Sequence, residues 1–74
     1  MAEEKKPLQI TLKAARKNAG LTQVKASKLL GVSAKTLGNW ENARTFPEPP
    51  DIAKIEQLYG VSYADIIFLP INYG

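Results

Sequence analysis

The sequence contains no cysteine and no histidine. The first absence removes disulfides, thiolate nucleophiles and cysteine-ligated zinc, and it is compatible with a reducing cytosol. The second removes the commonest general base and metal ligand. Acidic residues number only seven in 74 and are scattered, so no paired-carboxylate site stands out. No apolar run approaches the roughly 20 residues of a membrane span. The first six residues are charged and lack the apolar stretch of a secretory leader. These absences argue against an enzyme, a bound cofactor or metal, a small-molecule substrate and a membrane partner. They point to a cytoplasmic protein.

What is present is a chain rich enough in apolar residues, at 45%, to fold. Its length allows one domain of modest stability, because a chain this short buries only roughly 60% of its unfolded surface. The net charge of +3 conceals a division. Residues 1–45 carry nine Lys or Arg against three Glu, a balance of +6. Residues 46–74 carry Lys54 against four acidic residues, a balance of −3. A basic half joined to an acidic half favours a polyanionic partner at one end.

Helical periodicity and its punctuation predict an all-α, five-helix domain. Residues 1–7 read as an N-terminal arm, 8–69 as the domain and 70–74 as a tail. The first helix runs over about 11–18, capped by Thr11, with Leu12, Ala15 and Ala19 facing inward and Gly20 after it. The second covers 22–30, capped by Thr22, with Ala26, Leu29 and Leu30 inward and Gly31 as its stop. The third starts at the Ser33 cap and reaches about Asn42, burying Leu37 and Trp40. The fourth spans roughly 49–59. Pro49 and Pro50 suit a first turn, whose N–H groups have no intrahelical acceptor, and Ile52, Ile55 and Leu58 form its apolar stripe. A fifth is expected from Ser62 to about Phe68, with Ser62 and Asp65 at capping-box spacing. No segment has the alternation of a strand.

The stretch Leu21–Asn42 carries the functional signal. Two helices joined by the three-residue turn Gly31-Val32-Ser33 are set at roughly 90–120°. One can then cross the DNA backbone while the other enters the major groove. Ala26 is small where the two helices must approach, and Val32 and Leu37 point to the core. The remaining face of the third helix carries Ala34, Lys35, Gly38 and Asn39. It is small and polar, which a helix serving only as packing would not need.

These residues resemble the lambda-repressor/Cro-type, or Xre-like, helix-turn-helix family. The resemblance covers about residues 8–69. It rests on Thr22-Gln23, Leu30-Gly31-Val32-Ser33, Thr36-Leu37, Trp40-Glu41-Asn42 and Tyr59-Gly60-Val61-Ser62 at the family's spacing, with Leu12, Arg16 and Gly20 upstream. It implies a DNA-binding regulator of transcription, a repressor of phage, prophage or bacterial type, associated with the nucleoid. It further implies base contacts from Ala34, Lys35 and Asn39, and backbone contacts from Gln23, Thr36 and Asn42, with Gln23 also bracing the recognition helix. Arg16 and Glu41 match a structural ion pair linking the first helix to the end of the third. The sequence departs from the family pattern at several places. Lys25 stands where a carboxylate is common, an unfavourable charge at a helix N-terminus that a nearby phosphate would offset. Gly38 lies inside the recognition helix, where it would let the backbone approach DNA. Ala43 replaces the usual glycine after that helix, which would leave Asn42 as the left-handed residue.

Other residues admit plainer readings. Leu37 and Trp40 share a face and are expected in the core. Arg44 is a candidate for a phosphate or the minor groove, as are Lys13, Lys17, Lys25 and Lys28 for phosphates, and Lys5 and Lys6 are candidate arm contacts. Phe46 is expected as a plug under the loop 43–47. The partner implied is double-stranded DNA with a pseudo-palindromic operator, bound by a homodimer. Residues 66–73 would supply the dimer contact or else a lid over the core. The alternative function is a protein-interaction module, such as an antitoxin-like partner, that reuses the fold.

Overall fold

The computed structural model describes residues 9–68. The arm 1–7 and tail 70–74 expected from the sequence lie outside the described residues, as do Lys5 and Lys6. In chain order the elements are β1 (Ile10–Thr11), α1 (Leu12–Asn18), α2 (Gln23–Leu30), α3 (Ala34–Glu41), α4 (Pro49–Tyr59), a single 3-10 turn (Tyr63–Asp65) and β2 (Ile66–Ile67). Four helices are present among the described residues, each within a residue or two of where periodicity and caps put it. The hydroxyls of Thr11, Thr22 and Ser33 accept the N–H of Ala14, Lys25 and Thr36 at 3.1, 3.1 and 3.0 Å. Each satisfies a donor that the first helical turn leaves without a carbonyl.

The expected fifth helix is replaced by the 3-10 turn and a strand. The N–H of Asp65 bonds the Ser62 carbonyl at 2.9 Å, closing one tight turn, while the Tyr63 N–H goes to the Glu56 carboxylate at 2.9 Å. The backbone then extends through two β-branched isoleucines, which suit a strand better than a helix. β2 pairs in parallel with β1, Ile10 opposite Ile66 and Thr11 opposite Ile67. A two-residue ladder is too short for any alternation to betray it, yet it fastens the two ends of the described chain together.

The core is Leu12 and Ala15 of α1, Ala26 and Leu30 of α2, Leu37 and Trp40 of α3, Ile55 and Tyr59 of α4, and Ile66 of β2. Four expectations change. Ala19 is exposed, because α1 ends at Asn18 and Ala19 caps it. Leu29 is 54% exposed. Ala26 and Leu30, four apart, hold the inward face, and Leu29 lies about 100° off it. There it lines an open groove between α2 and α4 with Lys54, Gln57 and Leu58. In α4 the deeply buried pair is Ile55 and Tyr59, with Ile52 and Leu58 half-buried at the margin. Phe46 is exposed and meets the ring of Phe68 edge-on at 5.2 Å, while its neighbour Pro47 takes the buried place under the loop.

Candidate nucleic-acid interface

α2, the turn and α3 are built by local chemistry that leaves one helix face free. Gly31 ends α2 at φ 77°, and the N–H of Val32 reaches back to the Ser27 carbonyl at 3.0 Å. This left-handed stop turns the chain within one residue, at a conformation a side chain would resist. Val32 packs on the core, and the next residue, Ser33, is already the cap of α3. Ser33 accepts the Thr36 N–H and donates its own hydroxyl to Thr36 Oγ1 at 3.0 Å. Ala26, with no exposed surface, brings α2 and α3 into close contact.

Within α3, Leu37 and Trp40 are buried and anchor the helix. Lys35 projects into solvent, and Ala34, Thr36, Gly38 and Asn39 form the half-buried remainder of the outer surface. Past the helix, the Asn39 carbonyl accepts the N–H of Arg44 at 2.8 Å and of Thr45 at 3.4 Å, which folds the chain back and leaves the Arg44 side chain exposed. The left-handed residue of this turn is Ala43, at φ 58°, and not Asn42, which sits at φ −94°. Asn42 stays in line with the helix because its N–H bonds the Gly38 carbonyl at 2.9 Å. The reversal is therefore displaced onto alanine, where a Cβ makes it unfavourable by about 1–2 kcal/mol.

Beneath α3 lies a polar cluster. Arg16, itself buried, donates from Nε to Glu41 Oε2 at 2.7 Å and from Nη2 to Oε1 at 3.3 Å. Its Nη1 donates to the Leu21 carbonyl at 2.9 Å. One guanidinium thus ties α1 to the end of α3 and to the turn before α2. Glu41 Oε1 accepts a further bond from Gln23 Nε2 at 3.1 Å. The Gln23 amide lies over Gly38, where an added Cβ would sit 3.7 Å from Nε2 and 3.9 Å from Oε1. The Tyr59 hydroxyl feels the same cluster. Its pKa is pushed up to about 12, chiefly by burial, with the Glu41 charge adding to the rise and Arg16 opposing it.

The structure thus gathers Arg16, Gln23, Gly38 and Glu41 into one unit and sets Ala34, Lys35 and Asn39 along one helix. The family resemblance implied that Gln23 braces the recognition helix; that its partner there is Glu41, and the place of Tyr59 beside them, were not legible in the sequence. Gln23 and Glu41 are 18 residues apart, too far for any local pattern to pair them.

The exposed charges of α1, α2, α3 and the turn after α3 are positive. Lys13, Lys17, Lys25, Lys28, Lys35 and Arg44 are all exposed. Neither α2 nor α3 has an acidic residue in its first turn, whereas α4 has Asp51, whose carboxylate accepts the Glu48 N–H at 3.2 Å. Helix N-termini carry partial positive charge, so the first turns of α2 and α3 are left without an internal counter-charge. No helix among the described residues is long and apolar enough to cross a membrane.

A family model of the helix-turn-helix, Cro/C1 type, matches residues 12–66. No curated protein and no solved structure matches the chain.

Proposed function

The chain belongs to the Cro/C1-type helix-turn-helix family, a family of DNA-binding regulators, and from that premise we propose that it reads a specific operator through the major groove and represses transcription there. The observation that carries this reading is the outer face of α3. Two groups able to read base edges, Lys35 and Asn39, stand one turn apart on a helix anchored from behind by Leu37 and Trp40. Lysine suits the acceptor pair of guanine, and asparagine suits adenine N6 and N7. Ala34 adds a methyl-sized contact at the helix start. A face this polar disfavours the alternative of a protein-interaction module, which would present apolar groups.

Phosphate contacts then fall to the surrounding residues. Gln23, Lys25, Thr36, Gly38, Asn42 and Arg44 are the candidates, with Lys13, Lys17 and Lys28 adding positive charge. Lys25, unfavourable beside the N-terminus of α2 in the free protein, becomes favourable once a phosphate is near. In this reading the protein acts in the cytoplasm, on the nucleoid. Residues 1–7 serve as an arm, residues 8–69 as the DNA-binding domain and residues 70–74 as a tail.

Selection of bound sequences from a random duplex library tests the proposal. The expected result is enrichment of one short motif. Its binding should weaken with salt by about −0.9 in log–log slope for each of roughly four to six phosphates per subunit. No enrichment together with a slope near zero would remove DNA as the partner.

A further inference from the structure

The amide of Gln23 has a partner that the DNA-reading role of α3 does not require. Its nitrogen donates to Glu41 Oε1 at 3.1 Å, at the opposite end of α3 from the turn. A carboxylate only accepts hydrogen bonds, so it dictates which end of the amide faces it. The nitrogen must turn to Glu41, and an amide nitrogen carries two N–H groups. One is used by Glu41. The second is left for another acceptor.

Three features hold this arrangement. Glu41 cannot swing away, because Arg16 binds both its oxygens, at 2.7 and 3.3 Å, and both side chains are almost fully buried. Gly38, one turn before Glu41, faces the amide without a side chain, and a Cβ added there would stand 3.7 Å from Nε2. Gln23 is the first residue of α2, where the free N–H groups of the helix end favour an anion. A glutamine side chain free in solution would lose rotamer entropy on meeting a phosphate, whereas one already tethered loses little.

We propose that Glu41 is a positioning residue for DNA binding, its carboxylate fixing the Gln23 amide so that the remaining N–H meets a backbone phosphate. The proposal rests on the DNA-binding reading above and adds a function to a carboxylate that otherwise only holds helices together. Arg16 serves it indirectly, by holding Glu41.

The difficulty in testing it is that Glu41→Ala strands the buried Arg16 charge and weakens the fold. The double replacement Arg16→Met with Glu41→Leu avoids this, since apolar side chains of similar volume can replace a buried ion pair without loss of stability. Affinity is measured at low temperature, with every variant folded by circular dichroism, on both the selected operator and a random duplex. Gln23→Ala should weaken binding roughly tenfold, the worth of a hydrogen bond to a charged acceptor. The loss should be alike on both duplexes, because phosphate contacts carry no sequence information. The Arg16→Met/Glu41→Leu protein should bind roughly three- to tenfold more weakly than the parent despite parental stability. Adding Gln23→Ala to it should cost nothing more than Gln23→Ala alone.

In the DNA-free protein, the two side-chain amide protons of Gln23 should resonate far apart, and should approach each other's shift in the double replacement. If the double replacement binds as tightly as the parent, or if its loss adds in full to that of Gln23→Ala, Glu41 is only structural. If the parent itself binds no duplex, the functional reading has failed and not this refinement.

Discussion

Arg16 Nε and Glu41 Oε2 lie 25 residues apart in sequence and 2.7 Å apart in space, with side-chain exposures of 7% and 3%. Two charges that deep are far from water, and each is stabilised mainly by the other. Glu41→Ala should therefore cost about 3 kcal/mol, most of it from the guanidinium left without a counter-charge. In a domain of this size that lowers the melting temperature by roughly 10–25 °C. A calorimetric or circular-dichroism melt decides it, and an unchanged midpoint would show that the pair contributes nothing.

The phenol of Tyr59 ties stability to alkaline pH. Its pKa is raised from 10.0 to about 12 in the folded state, with burial the largest cause. The folded protein therefore holds this proton more tightly than the unfolded chain. The contribution is fully present below pH 10 and is lost as pH rises toward 12. About 2–3 kcal/mol is at stake across that window. The useful measurement is a comparison. Tyr59→Phe should lose less stability than the parent between pH 10 and 12 in urea melts. Parallel curves for the two proteins would contradict this.

Ala43 holds φ 58° at the turn after α3. Glycine adopts that conformation without the Cβ penalty, although it also gives the unfolded chain more freedom. The first effect is the larger at a left-handed site, so Ala43→Gly should stabilise the protein by up to about 1 kcal/mol. Urea unfolding with unchanged slope and a higher midpoint is the expected result.

The four helices and the turn between α2 and α3 were open to sequence reasoning because each has a local or patterned signal, whereas the Arg16–Glu41 pair was legible only through the family resemblance. Thr22, Ser33 and Gly31 announce ends by their own chemistry, and Leu37 and Trp40 announce a face by spacing. What escaped had no such signal. Ile66 and Ile67 look like the end of an apolar helix until their partners, Ile10 and Thr11, are known, and that pairing spans most of the chain. The choice between Asn42 and Ala43 as the left-handed residue turned on a hydrogen bond from Asn42 back into α3, which residue preference alone cannot weigh. Hydrophobicity alone places Leu29 and Phe46 inside, but Leu30 and Pro47 fill those positions.

Asn39 is the residue on which operator preference should depend most. Asn39→Ala should weaken binding to the selected operator by about 1–3 kcal/mol and relax the choice at one base pair. Repeating the selection with the variant shows which pair it was. Equal weakening on the operator and on random duplex would instead make Asn39 a backbone contact.

The active species should be a homodimer on DNA. One recognition helix of eight residues reads only a few base pairs, and a single small module buries only about 600–1,000 Å². Two modules on a two-fold axis would read half-sites about 34–36 Å apart, one turn of the duplex. Part of the interface expected from residues 66–73 is already engaged. Ile66 is buried in the core and pairs with Ile10, Ile67 and Phe68 are half-buried, and the exposed apolar surface beside them is Phe46, edge-on to Phe68. Leu69 to Tyr73 lie outside the described residues. An aromatic patch of this size makes a weak contact, so dimerisation should be driven by DNA, with protein alone sedimenting as a monomer at micromolar concentration. Footprinting on the selected operator should protect two half-sites, and titration should saturate at two proteins per duplex. Protection of one half-site, with one protein bound at saturation, would mean that a single α3 supplies all the recognition.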